Sequence, residues 1–244
     1  MLVNSSIDIL DIEVSKFDEI TLIEKIKDAI QLRDQLTIAY ANVNFINIAQ
    51  VDKSTLHKFN KIDIIHPDGI GIFLASKFLY GNKGFNKRFT GSDFYHLLIK
   101  AAIKERWSFF FFGDKDETLQ KISSVHPDII IAGYHNGFTY ENDKLFSMIN
   151  NSKPDILVVG MGAPKQEDWI ISCKRNLDVK IVIAVGDGIK VFSNTKKRGP
   201  KVFQKLGLEW LVRLFFEPKR LWKRYIIGIP LFIFRLVRLR FSKN

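Results

Sequence analysis

Apolar residues in this chain come in short, repeated blocks. Leu36–Ala41 and residues 62–65, 108–112, 129–132, 156–159 and 181–185 are continuous runs rich in branched or aromatic side chains. Such runs predict strands buried on both faces. Residues 7–14 alternate instead and predict a first, half-buried strand. Helical spacing fills the gaps: about 22–32, from Asn42 to about 58, Ile70–Tyr80, and a helix capped by Thr90 or Ser92 that runs to about 105. Strands alternating with helices predict an α/β fold, a mostly parallel sheet covered by helices on both faces. Ligands of such sheets bind beyond the carboxyl ends of the strands. The polar residues expected there are Asn42, Asp68, 113–114, 133–136, 160–166 and 186–190. Residues 81–88, GNKGFNKR, predict a basic, mobile loop.

The pattern changes after Phe192. Leu208, Leu211, Val212 and Phe215 keep helical spacing, 219–225 is basic and aromatic, and 226–234 is apolar but interrupted by Gly228 and Pro230. That run is too short to span a bilayer, which takes ~20 apolar residues. Charge follows the same division. Residues 195–244 carry 14 Lys/Arg against 2 Asp/Glu, a net of +12, whereas 1–194 carry 23 against 24, a net of −1. The chain therefore divides into a neutral body at 1–194 and a basic amphipathic appendage at 195–244, which needs an anionic partner. Arg235, Arg238 and Arg240 interleave with apolar residues, which predicts arginine heads on anionic lipid with Trp222, Tyr225 and phenylalanines in the acyl boundary. The segment is too apolar for a solvated phosphate-binding face, so a membrane surface is favoured and nucleic acid is not.

The 244 residues suffice for a real core. The one cysteine, Cys173, permits no intrachain disulfide and points to a reducing compartment, with a buried thiol rather than a nucleophile. The acidic N-terminus does not read as a secretory signal.

Candidate chemistry concentrates at 154–170, PDILVVGMGAPKQEDWI. A buried strand runs into Gly160 and Gly162, which permit a tight turn, and Pro164 suits the first turn of a helix. Strand, glycine turn and helix N-terminus make an anion site of free N–H groups, with Gln166 and Glu167 able to point at a ligand. A GxG turn alone is also an ordinary strand-to-helix connection. GMGAPK is not a dinucleotide fingerprint, because Lys165 stands where the third glycine would be. Asp114 and Asp116 form a DxD pattern, better explained as a solvated turn than as a metal site. The five histidines lack metal-ligand spacing, so no metal is expected.

Together the motifs resemble the WecG/TagA/CpsF glycosyltransferase family over nearly the whole chain. They are Asn42 with Ala49, PDGIG at 67–71, Arg88 with GSD at 91–93, FGD at 112–114 and GYHNGF at 133–138. PDILVVGMGAPKQE at 154–167, RGP at 198–200, GLEWLVRL at 207–214, EP at 217–218 and RLWKRY at 220–225 follow in order. The resemblance implies a Rossmann-like body with a membrane-binding appendage, in a bacterial enzyme peripheral to the inner face of the cytoplasmic membrane. It implies inverting transfer of a sugar, often of N-acetylmannosamine type, from a UDP-sugar to a polyprenyl-diphosphate-linked sugar in cell-surface polysaccharide or teichoic acid synthesis. No cofactor beyond the UDP-sugar substrate is implied, and self-association is.

Inverting transfer needs a general base for the acceptor hydroxyl. Asp68 matches the family's base, and its alternative is an Asp-Gly turn residue using its side chain locally. Arg88 is the candidate within the body to stabilise the leaving diphosphate, and Arg213, Arg220, Lys223 and Arg224 of the appendage match residues that close over the site in the family, with a lipid-binding face as their alternative. Asn42 and Gln166 match polar pocket residues that bond sugar or nucleotide, with a helix cap and a solvated first turn as alternatives. Two departures stand out. Tyr40 replaces the usual threonine, and Ile189-Lys190 replaces a Phe-Asp pair, which inverts a charge at the expected nucleotide end. Two rival functions remain at this level: a nucleotide-sugar oxidoreductase or epimerase, and a non-catalytic membrane or nucleic-acid adaptor.

Overall fold

The structure, a computed structural model, describes residues 6–196 and 199–242. It opens with two short strands, β1 (Ser6–Ile9) and β2 (Ile12–Ser15), paired antiparallel as a hairpin. One strand over 7–14 was expected; the buried positions instead shift from odd to even numbers across Leu10 and Asp11. Both of these have positive φ (54° and 61°), the twist a two-residue hairpin turn requires. Ile7 then faces Val14 and Ile9 faces Ile12. This hairpin leans on the main sheet, where Ser15 Oγ donates to the Ile65 carbonyl (3.0 Å).

The remaining elements follow in order. They are α1 (Glu19–Leu32), β3 (Leu36–Ala41), α2 (Val43–Ala49), α3 (Lys53–Phe59), β4 (Ile64–Pro67), α4 (Ile70–Tyr80), α5 (Gly91–Glu105) and β5 (Ser108–Gly113). Next come α6 (Asp116–Val125), β6 (Ile130–His135), α7 (Asn142–Ser152), β7 (Ile156–Gly160), α8 (Lys165–Cys173), β8 (Ile181–Ala184) and α9 (Ile189–Phe192). The helix expected from Asn42 to about 58 is two helices, because Asp52 caps a new start by accepting from the Thr55 N–H. Pro164 lies just before α8, not within its first turn.

The other six strands form one sheet, ordered β4-β3-β8-β7-β5-β6, with every pairing parallel. The continuous apolar runs follow from this: alternate residues serve opposite faces, and both faces are covered. Phe110, Phe112, Leu157, Val159, Val182 and Ala184 enter one core with α2, α4 and α8. Phe109, Phe111, Ile156, Val158, Ile181 and Ile183 enter the other with α1, α5 and α9. Cys173 is buried in the first core as a free thiol. The loop at 81–88 is pinned rather than loose. Phe85 and Phe89 are buried, and the Phe85 N–H donates to Ser76 Oγ (3.0 Å).

The C-terminal segment folds as α10 (Lys201–Leu206), α11 (Glu209–Phe216), α12 (Pro218–Trp222) and α13 (Gly228–Ser242). Gly228 and Pro230 do not interrupt it. Instead a π-helical turn over Lys223–Ile227 precedes Pro230, whose ring would clash with a carbonyl in a regular helix. Helix α13 is docked on the body: Phe232 and Leu236 join the first core, and Arg235 donates to Asn47 Oδ1 (2.7 Å). Arg240 donates to the Leu79 carbonyl (3.2 Å). Two of the three arginines expected to meet lipid are therefore turned to the protein, because unsatisfied carbonyls at the ends of α2 and α4 offer closer acceptors.

The sheet edge where the strands end is tightly built. Gly113 is paired with Gly160, has φ +138°, and would carry a Cβ 2.5 Å from the Gly160 backbone. Gly113→Ala should lower stability by about 1–3 kcal/mol. Urea unfolding monitored by circular dichroism checks this, with a reduced midpoint at unchanged slope expected.

Candidate active site

The loops at the carboxyl ends of β3, β4, β7 and β8 bring the polar chemistry together. Asp68 follows β4 directly. Its N–H donates to the Ala41 carbonyl (2.7 Å), and its Oδ1 accepts from the N–H of Gly91 (3.0 Å), the first residue of α5. The carboxylate thus sits at a helix N-terminus, where the backbone dipole favours negative charge. Gly69, at φ +86°, makes the turn and donates to the Phe89 carbonyl (2.8 Å). Asp68 thus spends one oxygen on α5 rather than on its own turn, and it also lines both of the cavities described below.

The glycine turn after β7 is organised by a side chain. Gln166 Oε1 accepts from the N–H groups of Gly162 (3.1 Å) and Gly186 (2.9 Å), joining the loops after β7 and β8. Its Nε2 donates to Glu167 Oε1 (2.7 Å). Gln166 is therefore no solvated first-turn residue, and the Gly162 N–H expected to meet an anion is already spent. Glu167 is buried yet lines the polar cavity described below, and its Oε2 has no partner among the described residues. Burial pushes its carboxyl up to about 7, against the opposing Gln166 bond.

Positive charge arrives from the C-terminal segment. Arg213 of α11 donates to Asp187 Oδ2 (2.7 Å), and Lys190 pairs with Asp187 (3.2 Å). Burial alone would raise the Asp187 carboxyl, but Arg213, Lys190 and Lys196 overcome it and hold the group below the usual range. Lys190 also lies 3.9 Å from Asp114. The charge inverted at position 190 is thus answered by two carboxylates. Asp114 further accepts from the Lys115 N–H (2.8 Å) within its own turn, and Asp116 accepts from Asn136 (3.3 Å) of the loop after β6. Lys196 donates to Ser92 Oγ (2.7 Å); burial, then Arg213, lower its pKa against the pull of Asp68 and Asp187.

Two cavities of about 510 Å³ each open at this edge. The polar one is lined by Gly160, Gly162, Gln166, Asp187, Lys190 and Arg220, among others. The other is mostly apolar and runs between α4 and α13. Asn42, Asn44, Asp68, Ser92, Lys196, Arg213 and Arg224 line both, so the cavities meet there. Asn42 caps α2 by accepting from the Phe45 N–H (3.0 Å), so cap and cavity wall are one residue. Arg88 borders only the apolar cavity and donates to the Gln204 carbonyl (2.6 Å), tying down α10. Lys223 borders neither, and lies exposed over the Trp222 ring. Arg220 pairs with Glu217 (2.5 Å). Arg198 of the RGP motif lies outside the described residues. Tyr40 closes the floor of the polar cavity with Tyr95, their rings edge to face at 5.6 Å. Its buried hydroxyl has no partner among the described residues.

Asp187 and Lys196 are the residues that sequence reasoning passed over. Asp187 stood within a flagged glycine loop, and an acid among cations was its available signal. Lys196 had none, because Ser92 is 104 positions away.

A family model described as the WecG/TagA/CpsF family of glycosyl transferases matches residues 7–244. Among curated relatives, an N-acetylglucosaminyldiphosphoundecaprenol N-acetyl-beta-D-mannosaminyltransferase of Staphylococcus aureus strain MRSA252 is 29% identical over 240 residues, covering 96% of this chain and 93% of its own length. The protein of the same description from strain NCTC 8325 / PS 47 is 28% identical over the same span.

Glu167 gives a pH test of this geometry. Its ordinary value is 4.5 and its folded value about 7, so between these the native state holds the extra proton and stability falls as pH rises. Glu167→Gln removes that slope. The difference in unfolding free energy between variant and wild type should shift in the variant's favour by up to roughly 3 kcal/mol from pH 4.5 to 8. Taking the difference cancels His66, whose burial pushes it down to about 4 and gives the opposite slope.

Proposed function

The chain belongs to the WecG/TagA/CpsF family of glycosyl transferases, and from that premise we propose that it transfers a sugar from a UDP-sugar to a polyprenyl-diphosphate-linked N-acetylglucosamine, with inversion. The names of its relatives favour an N-acetylmannosamine-type sugar and this acceptor. The observation that carries the reading is the meeting of two cavities at one carboxylate and three cations: Asp68, Lys196, Arg213 and Arg224.

In this reading the donor occupies the polar cavity and the acceptor sugar arrives from the apolar one. Asp68 takes the proton of the acceptor hydroxyl as its oxygen attacks the anomeric carbon. The new C–O bond forms as the bond to the donor diphosphate breaks, and the electron pair leaves with the diphosphate oxygen. Lys190, Lys196, Arg213, Arg220 and Arg224 all line the polar cavity in which that charge would develop. Four of them, Arg213, Lys190, Lys196 and Arg220, are set in place before the reaction by Asp187, Ser92 and Glu217. They can take the role that a metal plays elsewhere, and we propose a reaction that needs none.

The membrane-surface role rests on the outer face of the C-terminal segment. Phe215 (83% exposed), Phe216 (58%), Ile226, Phe234 and Phe241 stand in solvent among lysines and arginines. Among the described residues no helix is long and apolar enough to cross a membrane. The arrangement suits an interfacial segment of a peripheral protein.

Asp68→Asn should lower kcat for sugar transfer by about 10²–10⁴-fold while leaving donor binding nearly unchanged. Transfer by wild type should persist in EDTA; a strict divalent-metal requirement would return attention to Asp114 and Asp116. Phe215→Asp combined with Phe216→Asp should reduce sedimentation with anionic liposomes at an unchanged melting temperature. Undiminished sedimentation would refute the interfacial role of this face.

A further inference from the structure

The apolar cavity has a form that sugar transfer alone does not explain. A saccharide site presents hydroxyl-bonding groups, yet outward from Asp68 this trough is walled by Leu74 and Phe78 of α4 and by Ile233 and Val237 of α13. All four are more than a third exposed, so the trough opens to the outside. Its inner part reverses this character, where Arg88, Lys196, Arg213 and Arg224 gather around Asp68. One side of the ligand is therefore anionic and the other is a hydrocarbon, joined within a single cavity of about 510 Å³.

We propose that the trough between α4 and α13 binds the isoprenoid units of the acceptor that lie next to its diphosphate. This rests on the function proposed above and adds that the enzyme holds the lipid chain itself. The charge pattern decides the direction. The acceptor diphosphate is drawn to the Arg88 side of the basic junction, since Arg88 lines this cavity and not the polar one, which leaves the sugar beside Asp68 and the hydrocarbon with only the α4–α13 trough to follow. The trough is formed in part by a helix of the basic C-terminal segment, whose exposed apolar side chains stand at its rim. A chain leaving the trough would pass directly into the acyl layer against which those residues lie. Two roles thus fall to α13: its inward residues Phe232 and Leu236 secure it to the core, and its next residues line the lipid path.

The test needs neither turnover nor a membrane. Farnesyl diphosphate and inorganic diphosphate carry the same head, so their affinities for the full chain, measured by titration calorimetry, differ by the contribution of the hydrocarbon. Wild type should bind farnesyl diphosphate at least about tenfold more tightly. Leu74→Asp and Ile233→Asp replace exposed wall residues; each should remove most of that preference while leaving the affinity for inorganic diphosphate unchanged. Equal affinities in wild type would overturn the proposal and leave the trough to a protein segment or a second copy of the chain. A preference that survives both substitutions would overturn the placement. Because binding alone is read, failure of sugar transfer would count against the proposed function and is distinguishable from either result.

Discussion

The docking of a cationic C-terminal segment over an acidic sheet edge is the constraint on which the site depends. Arg213 reaches Asp187, Lys196 reaches Ser92, and Arg235 reaches Asn47, each within 2.7 Å. These bonds put a roof on an edge that an open parallel sheet would leave exposed. Both cavities take part of their wall from that roof, so the site is a joint product of body and segment. The cost of burying Asp187 is offset by three cations, and the cations are thereby fixed at the polar cavity, where the proposed reaction would use them. Stability of the docked state and electrostatic preparation for chemistry are the same interactions.

Beneath this roof the loops are arranged for rigidity. Gln166 holds two glycine loops with one oxygen, and Glu167 holds Gln166 in that orientation. A glutamine that grips backbone N–H groups keeps the Gly162 and Gly186 turns at a fixed separation, so the polar cavity keeps its shape. Glycine is required where strands converge, as at Gly113 and Gly160, because no side chain fits between them. The four-phenylalanine run of β5 supplies both cores and anchors this edge from below.

Much of the fold was legible because a parallel sheet buried on both faces writes itself as continuous apolar runs. Leu36–Ala41 and Ile70–Tyr80 coincide with β3 and α4 at both ends. The hairpin at 6–15 escaped because its parity shift mimics an imperfect single strand. Asp68 and the arginines were legible as motifs, but what each touches was not. Arg88 and Lys223 read alike as cations, yet one ties down α10 and the other faces solvent. Pairings such as Lys196 with Ser92 join positions far apart in the chain, and no local pattern encodes them. The arginines of α13 looked free to meet lipid because periodicity cannot show that α2 and α4 end beside them.

The central claim is that one carboxylate, placed where the two cavities meet, works as a base in a single displacement. The anomeric configuration of the first-formed product, read by proton NMR before any secondary reaction, tests it most directly. Inversion relative to the donor is the predicted result, since a base at Asp68 leaves no covalent sugar intermediate. Retention would contradict the account, because it would require a second displacement and a nucleophile in place of the base.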